Sequence, residues 1–179
     1  MITEIASCGT VRANARTENT AYGEKKRMIK ILFVCHGNIC RSPMAEFVMK
    51  DMLQSAGVSG DYYVESAATS SEELGNPVYP PARRLLAAHG IDCSGKTARR
   101  IRRSDYDDFD LLIGMDRANL RNMHRLFVED PEDKIHALME YTDRPGDVAD
   151  PWYTRDFEAT WRDVQEGCAG LLKWLEAGK

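Results

Sequence analysis

The sequence is short of the residues that build metal centres and disulfide frameworks. Four histidines and five cysteines are spread over 179 residues, and the cysteine spacings match no zinc pattern. Five cysteines in a chain of this length make no dense disulfide framework, so free thiols in a reducing cytoplasm are expected. No apolar run approaches the length of a membrane span, so no membrane partner is expected. Positive charge is not in excess either: 24 Lys and Arg stand against 28 Asp and Glu, a net charge of −4. That balance speaks against nucleic acid as a partner. Internal repeats and low-complexity tracts are absent. What remains is a globular composition, 43% hydrophobic and 29% charged, long enough for one domain with a substantial core.

Residues 1–27 stand apart. "MITEIASCGTVRANARTENTAYGEKKR" has little apolar content and no periodicity. It lacks the apolar stretch of a secretory signal, and Glu4, Glu18 and Glu24 argue against a transit peptide. A flexible extension is expected here, with a start at Met28 equally compatible. The domain itself is expected over residues 28–179.

Within it, apolar segments alternate between two periods. "MIKILFV" (28–34), "YYVESAA" (62–68), "DLLIGM" (110–115) and "KIHALM" (134–139) read as strands, the first buried on both faces. Between them lie helices. One starts at Pro43 and ends near Gly57; one spans 80–90, with Pro at its start and Gly90 past its end; one spans 116–127, with Asp116 as its cap. A last helix carries Phe157, Trp161, Val164, Cys168, Leu171, Leu172 and Leu175 as one apolar stripe. This alternation predicts a single α/β domain, a four-stranded parallel sheet with helices on both faces. Ligands of such sheets sit beyond the carboxyl ends of the strands.

Two stretches look able to hold phosphate. "GIDCSGKT" (90–97) fits the pattern G-x-x-x-x-G-K-[ST], and Cys93 precedes Arg99 by six residues; "VCHGNICRSP" (34–43) has the same interval from Cys35 to Arg41. A nucleotide-binding loop must leave a buried strand and enter a helix. "GIDCSGKT" leaves a helix instead, so it reads as a connecting loop. The Cys35 loop does follow a buried strand and precede a helix, where unpaired N–H groups and the helix dipole favour an anion. There Cys35 would be held as thiolate by the amides and by Arg41. Arg41 offers a planar fork to two phosphate oxygens. Gly37 and Asn38 tolerate the left-handed backbone that a tight cradle needs, and Ser42 can donate a hydrogen bond to the sulfur.

"VCHGNICRSPMAE" resembles the signature of the low-molecular-weight protein tyrosine phosphatases. The resemblance runs in order over about residues 28–178, through "SAATS" with "LGNP", "HGID" followed by "TARRI", "DFDLLIGMDRANL" and "DVADPWY". It implies Cys35 as nucleophile, Arg41 as phosphate clamp and Asp150 as general acid. It places His36, Gly37, Asn38, Ile39, Cys40 and Ser42 in the phosphate loop, and Asn38, Ser42 and His89 in the network that braces it. The cleft wall departs from the family's pattern: Glu72 falls near a position that is often aromatic, while Trp152 and Tyr153 keep an aromatic wall opposite.

The reaction implied is hydrolysis of phosphotyrosine, on a protein or a small aryl phosphate, through a phosphocysteine, with no cofactor and no metal. Three rivals are a protein-arginine phosphatase, which typically has Thr where this loop has Ile39; a thioredoxin-coupled arsenate reductase, which needs two more cysteines near Cys93; and a non-catalytic phosphate-binding module. The run "RRIRR" (99–103) reads as a solvated face that can attract acidic substrates.

Overall fold

The computed structural model describes residues 27–178; the extension expected over 1–27 lies, but for Arg27, outside them. Strand β1 (Ile29–Cys35) is the centre of the architecture. Its side chains alternate between two apolar cores, as a pleated strand requires. Ile31, Phe33 and Cys35 enter one core, and Leu32 and Val34 the other. Burying each of these large side chains contributes about 1.5–3 kcal/mol, so this strand tolerates no polar residue in its middle.

Strands β2 (Tyr62–Ala68), β3 (Leu111–Gly114) and β4 (Ile135–Ala137) complete a parallel sheet in the order β2-β1-β3-β4. The chain leaves β1 toward β2 and later returns past β1 to lay down β3. The order therefore reverses between β1 and β3, and the crevice at their carboxyl ends is a natural ligand site.

Helices α1 (Arg41–Ser55), α2 (Pro80–Ala88) and α6 (Phe157–Ala177) cover the face that holds Phe33. The four-residue α3 (Asp105–Asp108) and α4 (Arg117–Phe127) cover the face that holds Val34. A further four-residue helix, α5 (Pro151–Thr154), precedes α6. The sheet order and both helical layers agree with the alternation read from the sequence. Neither α3 nor α5 was expected, because four residues are too few to display a helical period.

Two local differences bear on the site. First, α1 begins at Arg41 rather than Pro43, so Pro43 lies inside its first turn and Arg41 itself is helical. Second, the strand expected over 134–139 stops at Ala137, and Leu138–Tyr141 form a 3-10 turn. Leu138 and Met139 are both buried. The turn dips onto α6, where two glycines make room. A Cβ on Gly167 would sit 2.5 Å from the Leu138 side chain, and one on Gly170 would sit 2.0 Å from the carbonyl oxygen of Tyr141.

Gly170→Ala therefore forces backbone apart and is expected to lower unfolding stability by about 1–3 kcal/mol. Gly60→Ala, where a Cβ meets nothing within 4 Å, is the neutral control. Urea midpoints of the two variants check this; equal midpoints would mean that α6 and the turn yield freely.

Candidate active site

Cys35 is the last residue of β1 and Arg41 the first of α1, so the five residues between them must turn the chain at the crevice. The turn is made by Asn38, whose φ of +56° is left-handed. That conformation costs most side chains about 1–2 kcal/mol, and Asn is one of the few that adopts it readily. It also points the Asn38 amide N–H at the Cys35 sulfur, 3.3 Å away. Gly37, expected to share the left-handed backbone, does not; its smallness instead admits Glu73, whose Cγ would lie 3.2 Å from an added Cβ. Helix α1 has neither a side-chain cap nor an acidic residue in its first turn. Its free N–H groups and positive dipole end face the loop.

A chain of buried hydrogen bonds fixes this loop from behind. Lys96 and Lys50 lie 2.7 and 2.6 Å from the two carboxylate oxygens of buried Glu46. Ser66 donates to the same carboxylate at 2.6 Å, because a carboxylate can only accept. The Ser66 oxygen is then left to accept from the Asn38 side-chain amide at 2.8 Å. That fixes the amide's orientation: its oxygen accepts from the Arg99 backbone N–H at 3.1 Å, and its second N–H goes to Ser42 Oγ at 2.9 Å. The Ser42 hydroxyl hydrogen is thereby free to donate to Cys35 Sγ, 3.0 Å away. One buried carboxylate thus sets the polarity of the side-chain links from Ser66 through Asn38 to Ser42, whose hydroxyl has Cys35 Sγ at 3.0 Å and the Ala67 carbonyl at 3.4 Å.

In front of the loop, Arg41 is held between two aspartates. One guanidinium nitrogen lies 2.6 Å from Asp116 and the other 2.7 Å from Asp150. Each aspartate also caps a helix with its remaining oxygen: Asp116 accepts from Asn119 N–H at 2.7 Å, and Asp150 from Trp152 N–H at 3.0 Å. Burial works against the charge on Arg41, but Cys35, Asp150 and Asp116 more than offset it and raise its pKa. Cys40 lies buried in the same loop. Burial first, then the charges of Cys35 and Asp150, push its thiol up to about 12, so it stays neutral. Cys35, Arg41 and Asp150 line one cleft of about 300 Å³ together with Asp116, His36, Ile39, Trp152 and Tyr153.

Against this geometry, the sequence model of the "Low molecular weight phosphotyrosine protein phosphatase" family matches residues 30–179. The chain belongs to that family. Among its curated relatives, the low molecular weight protein-tyrosine-phosphatase YfkJ of Bacillus subtilis is 36% identical over 154 residues, covering 85% of this chain and 99% of its own. The YfkJ crystal structure superposes with a TM-score of 0.84 at 35% identity, covering 87% of this chain and 99% of YfkJ. SP-PTP, the low molecular weight protein tyrosine phosphatase of Streptococcus pyogenes, superposes with a TM-score of 0.74 at 41% identity, covering 83% and 93%. DARP, a Drosophila arginine phosphatase, gives 0.75 at 32% identity, covering 82% and 98%.

In this phosphatase the mouth of the cleft is charged on one side and aromatic on the other. Glu72, 71% exposed, lies 3.0 Å from the His36 imidazole, and Glu73 stands beside it. Opposite, Trp152 packs edge-on against Tyr79, and Tyr153 projects into solvent. Ile39 lines the cleft but is only 8% exposed, packed with Cys40 and Ala98. Among the described residues, no group of three or more His, Cys, Asp or Glu side chains is placed to hold a metal ion, and no helix is long and apolar enough to cross a membrane.

Three sequence expectations need revision. His89 is not shown bracing the loop. It caps the end of α2 and stacks on Trp161 with ring centroids 4.0 Å apart. The second concerns "GIDCSGKT", whose Lys96 joins Asn38 and Ser42 in the brace. That segment is not a strand-to-helix turn; it supplies Lys96 and the Arg99 N–H to the bracing of the loop that is one. Thirdly, Arg99 is not part of a solvated basic face, because it pairs with Glu65 and Asp105. Asp116, Glu46, Ser66 and Lys96 were not foreseen as site residues. Only the cap role of Asp116 had a local signal.

Lys96→Met removes one partner of a nearly buried carboxylate and is expected to cost about 1–3 kcal/mol of stability. Lys50→Met removes a half-exposed partner and should cost about 1 kcal/mol or less. Chemical denaturation of both variants tests the order; a larger loss for Lys50→Met would mean that the rear of the loop rests on α1 alone.

Proposed function

We propose that this protein hydrolyses phosphotyrosine, on a protein or a small aryl phosphate, through a phosphocysteine intermediate and without a metal. The observation that carries the reading is the meeting of three side chains in one cleft: Cys35 with hydrogen-bond donors from Ser42 and the Asn38 amide, and Arg41 in contact with Asp150. Cys35 Sγ attacks phosphorus in line, and the P–O bond to the phenolate breaks. Arg41 exchanges its carboxylate partners for phosphate oxygens, and the amides at the head of α1 take the remainder. Asp150 delivers a proton to the leaving phenolate. Water, deprotonated by Asp150, then attacks phosphorus and releases the thiolate, whose departure the Ser42 hydroxyl eases.

A reactive thiolate needs a reducing compartment, which supports a cytoplasmic setting. Against arsenate reduction stands the burial of Cys93 and Cys168 in the apolar core, on separate elements. Ile39 supports a tyrosine over an arginine substrate: its apolar side chain suits a phenyl ring and offers no acceptor to a guanidinium. An unpaired donor there costs about 1–3 kcal/mol, roughly one to two decades in rate.

The test is hydrolysis in the presence of a chelator, comparing phosphotyrosine, phosphoarginine and an aryl phosphate with a more acidic leaving group. Cys35→Ser is expected to be inactive. Asp150→Ala should slow phosphotyrosine by about 10²-fold or more and the activated ester much less. Ile39→Thr should shift kcat/KM toward phosphoarginine. Retained turnover by Cys35→Ser would overturn the nucleophile, and a wild-type preference for phosphoarginine would overturn the substrate.

A further inference from the structure

The segment that carries Asp150 is held by one face of α6, which the proposed reaction does not use. The contacts follow the helix at intervals of three and four residues. Near the carboxyl end, Gly170 admits the Tyr141 carbonyl and Gly167 admits Leu138. One turn back is Asp163, a buried carboxylate. One of its oxygens accepts from the Ala149 backbone N–H at 2.9 Å, and the other from Arg144 at 2.7 Å. Another turn back, the fully buried Thr160 donates its hydroxyl to the Ala149 carbonyl at 2.8 Å. Residues 160, 163, 167 and 170 share one side of a helix, beside the apolar stripe that enters the core.

We propose that Asp163, assisted by Thr160, is the positioning residue of the general acid. It grips Ala149 by its backbone N–H while Thr160 grips the carbonyl, and Asp150 is the next residue. Through Arg144, the same carboxylate ties the start of this loop to the helix. Arg144 is further held by Glu166, one turn along α6. From the opposite side the loop is pinned by Val148 N–H on the Met115 carbonyl and by Asp147 on the Arg117 N–H. With both polar groups of Ala149 fixed, the carboxylate of Asp150 has little freedom except to face Arg41, at 2.7 Å. No other group in the described contacts accepts the Ala149 N–H. Without Asp163 that N–H must seek water, and the acid moves with it.

This inference rests on Asp150 being the acid, and the experiment separates the two. The probes are phosphotyrosine and a nitrophenyl phosphate, whose leaving group needs less protonation. Displacing a reacting group by about 1 Å can cost up to about 10²-fold in rate. Asp163→Ala is therefore expected to lower kcat on phosphotyrosine by roughly 10- to 100-fold, with much less effect on the nitrophenyl ester and little on KM. Asp163→Asn, whose amide oxygen can still accept from Ala149, should recover most of the loss. In an Asp150→Ala background, Asp163→Ala should cost nothing further, which a general weakening of the fold would not produce. If Asp163→Ala does not fold, Thr160→Val removes the other hold on Ala149 at nearly constant volume and should show the same selectivity. Equal losses on both esters for Asp163→Ala or its Thr160→Val substitute, or additive losses in the Asp150→Ala background, would overturn the inference alone. Equal losses for Asp150→Ala itself would remove the acid assignment and this inference with it.

Discussion

The carboxylate of Glu46 is the fixed point from which the surroundings of Cys35 are built. A carboxylate can only accept hydrogen bonds, and burying one costs several kcal/mol unless it is paired and bonded on both oxygens. Lys96, Lys50 and Ser66 meet that demand. Their arrangement leaves Ser66 one way to turn, Asn38 one way to point its amide, and Ser42 one hydrogen to spare for Cys35. The left-handed backbone at Asn38 persists because its side chain is bonded on three sides. A strained turn of this kind survives only where its surroundings over-determine it.

In front of the sulfur the constraint is electrostatic. Asp116 and Asp150 do the same two things: each caps a short or medium helix with one oxygen and holds Arg41 with the other. Helix caps are rigid because they satisfy backbone donors that have no other partner. The guanidinium is thus aimed by two secondary-structure termini rather than by side-chain packing. The sheet order makes this possible: β1 delivers Arg41 and β3 delivers Asp116 to the two sides of the crevice where the strand order reverses.

How much of this was legible in the sequence depended on how local each signal was. The Cys35-to-Arg41 loop could be chosen over "GIDCSGKT" because its flanking strand and helix are written in contiguous residues. Asp150 could be placed by its Pro-aromatic neighbours and the family pattern. In the sequence Lys96 belongs only to a connecting loop, because its partner, Glu46, lies far away on α1 and nothing local pairs them. His89 shows the converse: its neighbours in the sequence match the family's middle segment, while its ring finds Trp161 on α6. Asp163 looked like an ordinary polar position between the apolar residues of an amphipathic helix. Its burial follows only from how the 142–150 loop lies across α6.

The spread of these residues along the chain orders the assembly of the site in time. The Cys35–Arg41 loop is synthesised before its supports at Ser66, Lys96 and Arg99. The residues that seat Asp150 belong to α6, a later element still, whose Cys168 packs on the α1 backbone at Ala45. At roughly 5–20 residues per second, Cys35 leaves the ribosome on the order of ten seconds before Asp163. Contacts of such long sequence separation are also slow to close. For that interval a growing chain holds the Cys35 thiol without the helix that seats Asp150, and the cleft is complete only when α6 docks.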